Sequence, residues 1–148
     1  MSVLLQNRQR VIRFHAGALR RAAQAALAAA GISEAELSVL LVSDRQIARL
    51  HQAYLRKPGP TNVIAFPMGE GRGGTPSPGL LGDVVISVET ARREARLARR
   101  PLQEHLVRLL IHGLLHLLGY VHDRSRPEAR AMQAREQRLV AAVLRGLA

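Results

Sequence analysis

The chain has 148 residues, 47% of them hydrophobic, which suits one domain of ordinary size with enough apolar content for a real core. It has no cysteine, which excludes disulfide staples and thiolate ligation, so any zinc must be held by His, Asp or Glu. The 22 basic side chains outnumber the 11 acidic ones and give a formal net charge of +11, which points to a polyanionic partner such as nucleic acid.

Two further bounds follow. Lys57 is the only lysine and alanine is abundant, so a compositional drift toward arginine would produce the same charge without a partner. Aromatic residues make up 3%, so no stacking platform for single strands is visible and binding would rest on phosphate contacts. The start, MSVLLQNRQRVIRF, carries no apolar run of signal-peptide length. The longest apolar stretch, around Leu106 to Leu118, is broken by Arg108 and two histidines and falls short of the roughly 18 residues a membrane helix needs. With the missing cysteines, this fits a cytoplasmic protein without a membrane partner.

Residues 2–13 alternate loosely and predict an early strand or two. Residues 15–30 predict an alanine-rich helix with Leu19, Ala23, Ala26, Leu27 and Ala30 on one side, ended by Gly31. Glu36 to Ser43 reads as a strand. Asp44 is the expected cap of a helix from Arg45 to about Leu55 whose inward face carries Ile47, Leu50 and Tyr54. Pro58, Gly59 and Pro60 break the chain before a strand at Asn62 to Phe66. Residues 67–79, rich in Gly and Pro, read as a flexible loop of lid length or a plain connector, and Asp83 to Val88 as the strand after it.

A charged helix is expected from Glu89 or Thr90 to Arg99. Pro101 opens the next, which runs to about Leu118 and is apolar almost all round, as a buried helix is. Ser125 to Glu128 forms a capping-box pattern that starts a last helix through about Arg145. This order predicts a single α+β domain over residues 1–148, with a small mixed sheet and helices packed on it.

Three of the six histidines fall in the stretch HGLLHLLGYVHD as His112, His116 and His122. The first two are four apart and share one face of the buried helix. The third follows Gly119, which can end that helix and turn the chain. Two imidazoles on an otherwise apolar helix need partners, and a metal with a second hydrogen-bond acceptor supplies them. A hydrogen-bonded pair of core histidines beside a surface His122 is the plainer alternative. Three histidines with an open position describe a catalytic zinc site. The spacing HxxxHxxGxxH is also that of metzincin proteases, which need Glu after the first His as general base. Here that position is Gly113, so a zinc peptidase is not supported, and the glycine is expected to serve close packing or access.

These residues resemble the YbeY-type endoribonucleases, a family of bacterial rRNA maturation factors. The family pattern His-Gly-x-Leu-His-Leu-x-Gly-Tyr-Asp-His is matched by HGLLHLLGYVH, His112 to His122. A second block, YLRKPGPTNVIAFP from Tyr54 to Pro67, and a third, LLGDVVIS from Leu80 to Ser87, are similar to family blocks in the same order. The resemblance implies one zinc per chain on His112, His116 and His122, and about five helices against a four-stranded sheet. It implies single-strand-specific RNA cleavage in 16S rRNA 3′-end maturation and ribosome quality control, hence rRNA and the small ribosomal subunit as partners.

The chain departs from the pattern at Val121, where the family has Asp before the third histidine; Asp123 follows instead. It also has Leu55 where the family has Arg, with Arg56 one residue on, and Pro58 where the family has Asp. The expected chemistry is metal-assisted phosphodiester hydrolysis, with Arg56, and less so Lys57, meeting phosphate charge and Asp123 orienting water or a ligand histidine. The alternative is a ribosome-assembly factor that does not cleave, with a structural zinc.

Overall fold

A computed structural model of the chain describes residues 3–68, 79–119 and 126–147. Four strands and five helices follow one another: β1 (Val3–Asn7), α1 (Ala16–Ala29), β2 (Glu36–Val42), α2 (Asp44–Leu55), β3 (Val63–Pro67), β4 (Leu80–Ser87), α3 (Val88–Leu97), α4 (Leu102–Leu117) and α5 (Arg126–Leu147). The sheet order is β1-β2-β4-β3. β1 and β4 both run parallel to β2, and β3 is an antiparallel edge strand on β4. The α+β class and the mixed four-stranded sheet are those expected.

Alternation along the strands sends side chains to two different cores. Leu37, Val39 and Leu41 of β2, with Val84 and Ile86 of β4, face α1, α4 and α5 in the larger core. Leu40 and Val42 of β2, with Val85, Ile64 and Phe66, face the other way, where α2 contributes buried Ile47 and partly buried Leu50. α4 is the central helix of the larger core: Leu106, Leu110, Ile111, Leu114 and Leu115 are completely inaccessible.

Several boundaries differ from expectation. Residues 8–15 form no second strand; buried Gln9 clamps the turn, its Nε2 donating to Ile12 O (2.8 Å) while its Oε1 accepts from Ile12 N (2.9 Å). Ser43, not Asp44, caps α2: its hydroxyl accepts from Gln46 N and the Gln46 side chain accepts from Ser43 N, a reciprocal capping box. Tyr54 is not an inward residue but is half exposed, packing edge-on against Phe66 with ring centroids 5.4 Å apart. β3 reaches into the expected loop at Pro67, and β4 begins at Leu80, three residues before the expected Asp83. Pro67 pairs with Gly82, and Met68 N donates to Leu81 O (3.0 Å), because backbone pairing does not need apolar side chains. The rest of that loop, residues 69–78, lies outside the described residues, as does Ser125 of the expected capping box. The strand before α3 ends at Ser87, whose hydroxyl caps the helix by accepting from Thr90 N.

Asp44 ties α2 to α3. Its carboxylate accepts from Ser87 Oγ (2.6 Å) and Thr90 Oγ1 (2.5 Å) and pairs with Arg93 (2.8 Å), while its own N–H donates to Glu89 (2.8 Å). Burial pushes this carboxyl up, but the three hydrogen bonds and the Arg93 charge outweigh it and hold it below the ordinary carboxylate value.

Candidate metal centre

α4 brings His112 and His116 onto one face, one turn apart, and leans on the sheet through Gly113. A Cβ on Gly113 would stand 2.7 Å from Val84 Cγ1 and 3.3 Å from Val63 Cγ2. The glycine in the position of the peptidase base therefore serves packing: it lets the histidine-bearing turn approach β3 and β4 closely.

The two imidazoles turn toward each other at 68°, with Nε2 atoms 3.1 Å apart. On the other side of His112, Nδ1 lies 2.5 Å from Glu136 Oε1 of α5. A carboxylate accepts only, so Nδ1 carries the proton in this bond, and in the neutral ring Nε2 presents its lone pair. This is the carboxylate–histidine arrangement that orients metal ligands. Two imidazole nitrogens sharing a tetrahedral zinc stand roughly 3.3 Å apart. The observed separation and the fixed tautomer of His112 fit such an ion.

His122 and Asp123, the third expected ligand and the expected orienting carboxylate, lie outside the described residues, as does Val121. Among the described residues no group of three metal-binding side chains occurs. Arg56 ends α2 in the left-handed conformation (φ 54°, ψ 36°), its N–H donating to Gln52 O (3.1 Å). It and Lys57 are exposed. The cleft next to His112 is lined instead by Asn62, further along the same connection.

Sequence reasoning missed Glu136 and the polar cleft of about 230 Å³ beside it, where Asn62, Arg100, His105 and Arg108 stand near His112. His105, 8% exposed, accepts from Arg100 at Nδ1 (3.0 Å) and donates from Nε2 to Glu94 (2.9 Å). Asn62 donates to both oxygens of Glu94 (3.2 and 3.3 Å), and Glu104 pairs with Arg100 (3.1 Å) and Arg108 (3.2 Å). A buried histidine on an apolar helix was the one available signal. Its partners come from other elements, and no local pattern marks them.

Comparison with known proteins agrees with the motifs. The family model described as Endoribonuclease YbeY matches residues 4–144. Endoribonuclease YbeY of Syntrophotalea carbinolica is 46% identical over 140 residues, covering 94% of this chain and 93% of the relative. The protein of that name from Geobacter sulfurreducens is 44% identical over 147 residues, covering 99% and 98%. In fold, the chain is similar to the solution structure of TM1509 from Thermotoga maritima, with a TM-score of 0.65 at 22% identity over 95% of this chain and 88% of that one. On the extent of the family match and of these identities, the chain belongs to the YbeY endoribonuclease family.

Proposed function

We propose that the protein is a zinc-dependent endoribonuclease that cuts single-stranded RNA, acting in the cytoplasm on 16S rRNA 3′-end maturation and ribosome quality control at the small ribosomal subunit. The observation that carries the metal-dependent part is the convergence of His112 and His116 with Glu136 behind them. His112 and His116, with His122 as third ligand, would hold the zinc. When bound, it supplies Lewis acidity that brings the pKa of a water toward 7 and polarises a phosphoryl oxygen.

The chain's own groups do the rest. Glu136 keeps the Nδ1 proton of His112 in place and so holds its ring orientation. Arg100 and Arg108, in the cleft beside His112, offer guanidinium donors to the phosphate and to the charge that grows on it during displacement. Arg56 is the proposed charge-stabilising group from the end of α2, and Asp123 the proposed orienting carboxylate. The net charge of +11 draws the strand to the surface. No helix among the described residues is long and apolar enough to cross a membrane.

One observation favours the second reading, an assembly factor that does not cleave. Leu55, in the position of the family's arginine, is half exposed and brings no charge to the end of α2. Incubation of single- and double-stranded RNA with protein of measured zinc content separates the two. Cleavage confined to single strands, and reduced at least about 100-fold in His112→Ala together with the metal, is expected. Zinc-loaded wild type that cuts no faster than the variant would establish the assembly factor instead.

A further inference from the structure

On the α2 side of the sheet lies a cavity of about 310 Å³ walled mostly by apolar groups, among them Leu50 and the Tyr54–Phe66 pair, with Asp83 in its lining. The cleft of about 230 Å³ beside His112 is of another kind: among the described residues, every side chain lining it except Leu109 is polar or ionisable. The end of α3 brings Arg100 into it. Past the Ala98 cap, Arg99 takes the left-handed conformation (φ 54°) and donates from its N–H to Arg96 O (3.2 Å), and Arg100 N donates to Ala95 O (2.9 Å). These two bonds make a Schellman turn, which folds the chain back and sets Arg100 against the first turns of α4. There the Nε atoms of Arg100 and Arg108 both donate to one oxygen, Glu104 Oε2 (3.1 and 3.2 Å). Arg100 Nη1 donates to His105 Nδ1 (3.0 Å), and Glu94 holds the other side of that ring (2.9 Å). Among the described residues, nothing occupies Arg100 Nη2 or either Nη of Arg108.

We infer that Glu104 is a positioning residue that joins Arg100 and Arg108 into a single clamp for one phosphate of the RNA strand. An isolated Glu104–Arg108 pair four residues apart does no more than steady a helix slightly. Here an arginine from a different element shares the same oxygen. Two neighbouring guanidinium groups repel each other, and the carboxylate oxygen between their Nε atoms holds them side by side. Their inner edges are thereby satisfied and their outer donors stay open, which suits a phosphate with several acceptor oxygens. Arg108 lies one turn of α4 before His112, about 6 Å along the helix axis, so the clamped phosphate sits beside the metal-binding face. The inference rests on the reading of this cleft as the RNA site.

Anisotropy titration of a labelled oligouridylate with the full chain tests it, with a chelator present so that no metal-dependent cleavage occurs. Arg108→Ala should weaken binding about tenfold. Arg20→Ala, an exposed position on α1 with the same loss of charge, should change it less than about twofold. Glu104→Ala should weaken binding about fivefold although it raises the net charge by one, whereas a mere counter-charge would bind RNA more tightly once removed. The double variant Arg100→Ala/Arg108→Ala should lower the slope of log affinity against log salt by about 0.7, one phosphate, rather than by about twice that. If Glu104→Ala does not fold, the salt slope and the Arg108–Arg20 comparison decide. Wild type that does not bind the strand, Arg108→Ala no weaker than Arg20→Ala, tighter or unchanged binding by folded Glu104→Ala, or a two-phosphate slope change would overturn the inference. Zinc-loaded samples are then assayed for cleavage. Expected binding by a wild type that does not cut refutes the nuclease reading and leaves the clamp standing, and variants that bind and cut like wild type do the reverse.

Discussion

The two faces of the sheet are built to different standards. One is sealed by α1, α4 and α5 around a core whose central leucines have no accessible surface. Among the described residues the other is covered by α2, which buries Ile47 fully, Leu50 partly and Tyr54 by half. His112 and His116 sit on the sealed face, carried by the helix with the most buried residues among those described, and the aromatic cavity sits on the lightly covered one. Imidazoles that converge to 3.1 Å need a rigid support, and a packed helix gives it. A cavity needs a covering element that does not fill all the space above the strands.

Matched truncations test that contrast most severely. Leu110→Ala on the sealed face should cost about 3–4 kcal/mol, whereas Leu50→Ala should cost about 1 kcal/mol, as measured by urea denaturation. Equal losses would mean that the two faces are equally packed. Gly113→Ala comes next, at about 2–3 kcal/mol, because Val84 must move to admit the methyl group. A stability within 0.5 kcal/mol of wild type, an order-of-magnitude threshold for neutral changes, would show that the helix can lift off the sheet at little cost.

Glu136→Gln keeps an acceptor near His112 but removes its charge. Zinc affinity should fall about tenfold with the fold intact, as read by competition with a chelator. An unchanged affinity would remove Glu136 from the metal site. A modest effect belongs to the α2–α3 tie on the other side of the molecule: Asp44→Asn should cost about 1–2 kcal/mol at neutral pH. Because the folded-state pKa of Asp44 lies below its ordinary value, its stabilisation is fully present above that value and disappears as pH falls through the folded one. The wild type and Asp44→Asn should therefore converge in stability on acidification, and a constant difference down to strongly acid pH would refute the assignment.

Much of this was legible along the chain. The helical spacing of His112 and His116, the all-round apolarity of α4, the short apolar runs of β2 and β4 and the motif blocks each depend on neighbours in sequence. The Ser43 cap was missed because Ser43 and Asp44 are both good caps, and only the backbone turn decides between them. Tyr54 was misjudged because helical periodicity identifies the inward side of a helix but not how far the surface beneath it extends.

By itself, then, the sequence determined that the chain folds as α+β, that two histidines share a face of a buried helix, and that the position after the first is a glycine unable to act as a base. These follow from covalent spacing and the 3.6- and 2-residue periods. Only the tertiary structure decided that Glu136 holds His112, that Asn62, Glu94, Arg100 and His105 meet in the adjoining cleft, that Val84 is what Gly113 makes room for, and that Asp83 faces an aromatic cavity on the far side of the sheet. Those pairings join residues far apart in the chain, and they are set by how α4 and α5 pack and by the β2–β4 register, which no local pattern encodes.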